Sequence, residues 1–341
     1  MSSLLLRTLA VICVLLGSER PLTAATISLA PEAEKVTSFP LSAAAIRRVE
    51  PLAARDLGDD AHFVATLLRI LEEKDLESSE KVDAFYLMLR KIGWEFSGSV
   101  RLFPGSTYHQ TFLGMASTYF GYQQRVEAAS MDPAPFLALA NTGCDENVVR
   151  CSHALLLATI LDSKRSAESV RTLLDPGKIR ASEVPDILLH NLALSVMLTR
   201  DFELARKLAS LLRDTTSEEG QEDILCAMSI FDDAQLTASL KEFLREALTT
   251  KWDSAVEIGF VGLAHRLPEA DFRAFYSQLT AGVSDPARRE RLVAIEKDDF
   301  APLFQSAPSG WIKVWDGFSV SLFDDGMVLR YGSSFRAFKP N

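Results

Sequence analysis

Four cysteines and five histidines are all that 341 residues offer toward thiol or metal chemistry. The histidines, His62, His109, His153, His190 and His265, stand singly. Only Cys151-x-His153 brings two ligand types close, and that spacing points them to opposite sides of a helix. No metal and no cofactor is therefore expected. Positive charge is also short: 36 Lys and Arg stand against 46 Asp and Glu, for a net charge of −10. Nucleic-acid binders need clustered cations against phosphates, so this balance argues against that class. It argues equally against a strongly anionic membrane surface. Beyond the first residues no apolar run reaches the ~20 residues that cross a bilayer. Catalytic signatures are missing as well. There is no G-x-S-x-G, no H-E-x-x-H, no phosphate-binding glycine loop and no EF-hand pattern. Disorder is not expected either, since 48% of residues are hydrophobic and 24% charged, ordinary for a folded chain.

What is present begins with a leader. Met1–Arg7 is a weakly basic n-region, Leu9–Gly17 an apolar h-region, and Pro21–Ala25 a run of small residues suited to cleavage after Ala25. The apolar run is too short to span a membrane, and Cys13 follows Ile12, not a small residue, so a lipoprotein site is not expected. Residues 1–25 read as a secretory signal peptide, placing the mature chain in the periplasm or outside the cell. Removing Arg7, Arg20 and Glu19 with it leaves 34 basic against 45 acidic residues, a net charge of −11.

Export makes a disulfide possible, but Cys144, Cys151 and Cys226 are an odd count. If Thr142 caps a helix with Asp145 three residues on, Cys144 and Cys151 both lie within it, about 10.5 Å apart and beyond bridging. If the helix starts at Asp145, Cys144 sits in a loop and a local Cys144–Cys151 bridge becomes conceivable. Buried free thiols are the other reading.

Residues 26–58 form a lead-in and a first helix over Ser42–Leu57, which Pro51 kinks or splits. From Asp59 the helical period is clear. Phe63, Leu67, Ile70 and Leu71 mark one helix; Val82, Phe85, Tyr86 and Leu89 mark the next, with Ser78 or Ser79 where a cap is wanted. Residues 93–106 break the pattern with Gly93, Gly98, Pro104 and Gly105, around a strand-like Val100–Phe103. A longer helix follows, with Tyr108, Phe112, Met115, Tyr119, Tyr122 and Val126 on one face. Eight of the 29 residues from Trp94 to Tyr122 are aromatic, about three times the chain's 9%. Trp94, Phe96, Phe103, Tyr108, His109, Tyr119 and Tyr122 are accordingly candidates for a binding surface, against the alternative of an aromatic core face.

After Asp132-Pro133 four turns recur, near Lys164-Arg165, Arg200-Asp201, Asp232-Asp233 and Leu267-Pro268, at intervals of 36, 32 and 35 residues. An apolar helix precedes each turn and an amphipathic one follows it. Helix–turn–helix units at that period mean an α-solenoid, whose stacking buries faces no single unit could bury. The unit Asp186–Arg213 resembles a tetratricopeptide repeat: Leu192, Ala193, Phe202 and Ala205 fall on that family's positions. It departs where Arg200 replaces the turn glycine, Ala193 the small glycine and Ser217 the closing proline. The other units match in period and polarity, as other helical-hairpin repeats would. The resemblance implies a concave groove for a peptide or protein segment, and no chemistry.

Pro286–Lys297 reads as a last capping helix. Residues 306–341 then switch to a period of two, a small antiparallel β-meander with Asp316-Gly317 and Asp325-Gly326 as turns. That register sets Trp315 opposite Phe318, Lys313 opposite Val320 and Leu322 opposite Leu329, and gathers Trp311 and Trp315 on an apolar face. The face either caps the helical array or offers a partner or glycan an aromatic platform. The acidic pairs Asp59-Asp60, Glu218-Glu219, Asp232-Asp233 and Asp324-Asp325 read as caps and turn formers.

The fold expected is thus mainly α: antiparallel helix pairs over 59–305 stacked as an α-solenoid, with a small C-terminal sheet. The function expected is that of an exported, non-enzymatic binding or scaffold protein taking a protein or peptide partner. The alternative is an exported α/α-toroid enzyme or binding protein acting on polysaccharide or peptidoglycan.

Overall fold

The computed structural model describes residues 41–92, 108–126, 129–142, 147–175, 184–231, 233–248, 254–264 and 266–295, and the backbone of four strands between 312 and 338. The expectations for the leader, the lead-in before residue 41 and the insert at 93–106 fall outside these residues. Among the described residues the chain is mainly helical, with fifteen helices and four strands. It divides into two compact units. Unit 1 comprises Met1–Thr107, Thr118–Val170 and Pro185–Leu198; unit 2 comprises Tyr108–Ser117, Arg171–Val184 and Thr199–Asn341.

In unit 1, Pro51 splits the first helical stretch. Helix α1 (Ala43–Val49) ends before it and α2 (Ala54–Leu57) begins after it, because proline supplies no N–H to continue the ladder. The Asp59 carboxylate caps α3 (Asp60–Glu72) by accepting from the Ala61 and His62 N–H groups. The face at i, i+4, i+7 and i+8, Phe63, Leu67, Ile70 and Leu71, is buried. Helix α4 (Ser78–Lys91) starts one residue earlier than a serine cap would place it. Glu77 holds the cap position and its N–H donates to the Glu80 carboxylate at 2.8 Å, since a carboxylate three residues on reaches back to that orphan donor.

Helix α5 (Tyr108–Val126) supplies its second half to unit 1. Helix α6 (Ala134–Thr142) follows, then α7 (Val148–Leu161). Thr142 closes α6, its hydroxyl donating to the Ala138 carbonyl at 2.7 Å. It therefore does not cap the next helix. That role belongs to Asn147, whose side chain accepts from the Arg150 N–H at 3.0 Å. Helix α8 (Ser163–Leu173) begins right after Asp162, which accepts from the Arg165 N–H. The turn expected at Lys164-Arg165 thus lies at Asp162, at least two residues earlier, because Asp162 is the residue able to cap. In α7 and in α9 (Asp186–Thr199), twelve of fourteen residues are buried. These Leu- and Ala-rich helices have no polar stripe, so water has no side to claim.

Unit 2 carries the pairs that follow: α10 (Phe202–Ser210), α11 (Glu218–Ser229), α12 (Ala234–Ala247), α13 (Ser254–Ala264), α14 (Glu269–Ala281) and α15 (Pro286–Ile295). Arg200 bridges α9 and α10 in the left-handed region, φ 58°, the conformation a glycine takes at no cost. Asp201 and Asp233 cap α10 and α12. Helix α11 packs on α13, α10 on α12, and α12 on α13. The α12–α13 approach is close. A Cβ added at Gly259 would stand 3.0 Å from Leu244 Cδ2, and one at Gly262 would stand 3.4 Å from Leu240 Cδ1. Phe260 of α13 meets Phe272 and Tyr276 of α14 edge-on, and the Tyr276 hydroxyl donates to the Leu292 carbonyl of α15 at 2.7 Å.

Strands β1 (Ile312–Trp315), β2 (Phe318–Phe323), β3 (Gly326–Tyr331) and β4 (Ser334–Phe338) pair antiparallel in sequence order. Trp315 stands opposite Phe318, but a register shift then sets Ile312 opposite Val320 and Lys313 opposite Ser319. The irregularity trades a charged partner of Val320 for an apolar one. In the second hairpin Phe323 pairs with Gly326 and Leu322 with Met327. The connection is therefore 324–325, not Asp325-Gly326. Moving the pairing by two residues preserves which residues share a face.

Candidate functional site

The aromatic stripe of α5 is the first candidate, and its described members turn inward. Tyr119 and Tyr122 are each 1% exposed. Tyr122 stacks on Phe63 with ring centroids 4.5 Å apart, and Tyr119 meets it edge-on at 6.0 Å. Burial pushes both phenols well above their ordinary range. They are packing residues, and neither offers a surface to a ligand. The backbone of Tyr108 and His109 lies in α5 and that of Trp315 in β1. Trp94, Phe96, Phe103 and Trp311 lie outside the described residues.

The cysteines separate by role. Cys151 is disulfide-bonded, whereas Cys226 is a buried free thiol. With α7 starting at Val148, Cys144 precedes the helix and lies outside the described residues. Burial, together with the carboxylates of Asp223 and Glu222 on α11, drives the Cys226 thiol far up, so it stays protonated and unreactive. Among the described residues no group of three or more His, Cys, Asp or Glu could hold a metal ion. Nor is any described helix long and apolar enough to cross a membrane.

Sequence reasoning missed the buried polar layer of unit 1. Asp83 on α4 is 1% exposed and takes a bidentate bond from Arg150 on α7, at 2.8 and 2.9 Å. It also accepts from the Ser42 N–H ahead of α1, while the Ser42 hydroxyl donates to Glu80. One carboxylate thus fastens three helices. One turn along α7, the His153 Nδ1–H donates to the Val149 carbonyl at 2.8 Å, and the ring meets Tyr86 edge-on at 4.8 Å. Asn191 on α9 donates to the Ser152 hydroxyl at 3.0 Å. Gln123 donates to the Thr159 carbonyl, closing α5 onto α7. Apart from the His153 bond within α7, these hydrogen bonds tie one helix of unit 1 to another.

A repeating device appears on the second helices of unit 2. Arg171 reaches Asp201 at 3.5 Å, and Arg206 reaches Asp233 at 2.6 Å. Each aspartate is also the cap of its own helix, so one side chain serves both helix and junction. Lys207–Asp175 at 2.6 Å and Arg213 with Glu242 add a parallel rail. These partners stand 27 to 32 residues apart. Arg171, Arg206 and Lys241 recur every 35 residues. At the third position the cap is Pro268, which has no carboxylate. There Lys241 and Arg245 instead lie over the Phe275 ring, 5.5 and 5.3 Å from its centre.

The solvent-facing side of unit 2 on α10 and α12 is correspondingly polar. Glu203, Arg206, Ser210 and Arg213 are exposed on or just after α10, and Gln235, Glu242, Arg245 and Glu246 on α12. The first helices offer no such row: α7 and α9 are buried almost throughout, as is α11 from Glu222 onward. Comparison with protein-family models, with curated proteins and with solved structures finds no match to this chain.

Proposed function

We propose that the mature chain is an exported helical-repeat scaffold that binds a protein or peptide partner, similar in plan to tetratricopeptide arrays. The observation that carries this reading is the ladder of ion pairs on the second helices. Each joins a helix to the cap of the next second helix about one repeat later. The packing of α11 on α13 and of α10 on α12 supports the same plan, since equivalent helices of neighbouring pairs stack on one another. The partner-binding face is assigned to the exposed side of α10 and α12, where side chains of both signs are available. In this reading the four strands shield the last helices of the array. The disulfide at Cys151 supports an oxidising compartment, and with it the leader at 1–25.

Affinity capture with the mature chain, residues 26–341, from envelope extract and culture fluid tests the proposal. Recovery of one specific protein, lost when Arg213, Glu242 and Glu246 are replaced together by alanine, is the expected result. No protein partner, together with retention on insoluble glycan, would replace it with the polysaccharide or peptidoglycan reading.

A further inference from the structure

We propose that unit 1 is acid-sensitive by construction: the packing of α4, α7 and α9 around His153 requires that imidazole to remain neutral. The ring is 2% exposed. Its Nδ1 lies 2.8 Å from the Val149 carbonyl, which can only accept, so Nδ1 carries the proton and Nε2 the lone pair. Tyr86 and Phe85 of α4 meet the ring edge-on, at 4.8 and 6.5 Å. From α9 the titratable group acting on it is His190, equally buried, whose charge opposes a proton on His153. Helix α6, which also packs on α7, carries no titratable side chain. Arg150, three residues back on α7, is a cation already committed to Asp83. That carboxylate is engaged by Arg150 and by the Ser42 N–H, so it is not spare as a counter-ion.

A second proton on His153 would therefore place a cation among two aromatic edges and another imidazole, in a region closed to water. Burial holds its pKa down from 6.5 to about 4. The folded-state value is below the unfolded one, so the unfolded chain takes up the proton first. Stability contributed by the neutral ring is complete above about pH 6.5 and is lost as pH falls toward 4. Within that window each pH unit weakens the folding equilibrium of unit 1 by about tenfold. The device acts on the packing of one unit and holds whatever partner the chain takes.

Amide hydrogen exchange on the mature chain, followed between pH 7 and pH 4 and corrected for intrinsic rates, tests this. Peptides from α7 and α9 are expected to lose protection in the wild type as pH falls below about 6. In His153→Phe they are expected to keep it to at least one pH unit lower. His153→Gln keeps an N–H for the Val149 carbonyl and cannot titrate, so it serves if the phenylalanine variant does not fold. Loss of protection at the same pH in wild type and both variants would overturn the proposal. So would a wild type that stays protected to pH 4, or a shift produced by His190→Gln and not by the His153 variants.

Discussion

Asp83 shows how much one buried side chain can be asked to do. Its two oxygens hold Arg150 of α7 and the backbone ahead of α1, while the residue itself sits on α4. Removing the cation strands a buried carboxylate, whereas a surface ion pair would simply be rehydrated. Arg150→Met is expected to cost roughly 3 kcal/mol in urea unfolding, and Asp83→Asn in that background to recover part of it. A cost under about 1 kcal/mol would mean the pair behaves as an exposed one. Ser130 is a second test at this scale. It is exposed and held at φ 48°, in the left-handed region. Ser130→Gly is expected to raise stability by up to about 1 kcal/mol, read as a higher melting temperature. Neither feature could be read from the chain. Asp83 and Arg150 stand 67 residues apart, and no local pattern marks their meeting.

At the scale of helices, what was legible is what repeats with the helical period. The stripes of α3 and α4 are buried as their spacing requires. The cap aspartates Asp59, Asp201 and Asp233 sit where their type predicts. Which side of a stripe meets the core was not legible: the α5 aromatics Tyr119 and Tyr122 suit a ligand or a core equally well by type, and only tertiary packing turned them inward. Sheet register failed for a related reason, since a bulge in β1 is chosen by the pairing partner and not by the strand's own residues. Two magnitudes separate stability from register along the helix pairs. Arg206→Ala removes a solvent-screened pair and is expected to lower the melting temperature only slightly. Gly259→Val drives a branched side chain into Leu244, where a Cβ alone already reaches 3.0 Å, and is expected to cost about 2–3 kcal/mol. Thermal unfolding of the two variants checks the order. If Arg206→Ala were the worse, the ion pairs and not the apolar packing would carry the stability of these helices.

At the scale of the whole molecule, the cysteines differ in state. Among the described residues Cys151 is bonded and Cys226 is a sealed free thiol. Peptide mapping without reduction is expected to link Cys144 to Cys151, with Cys226 alkylated only after unfolding. A free Cys144 would redirect the Cys151 bond to Cys13 or to another chain. The mainly helical content was legible in the spacing of the turns. The exposed charge of α10 and α12 was not, because exposure is set by packing and not by residue type. The measurement that tests the scaffold reading most directly is amide hydrogen exchange on the mature chain, with and without the captured partner protein. The account predicts added protection on α10 and α12, at positions about 35 residues apart. Unchanged exchange on both helices, or protection that only a glycan produces, would contradict it.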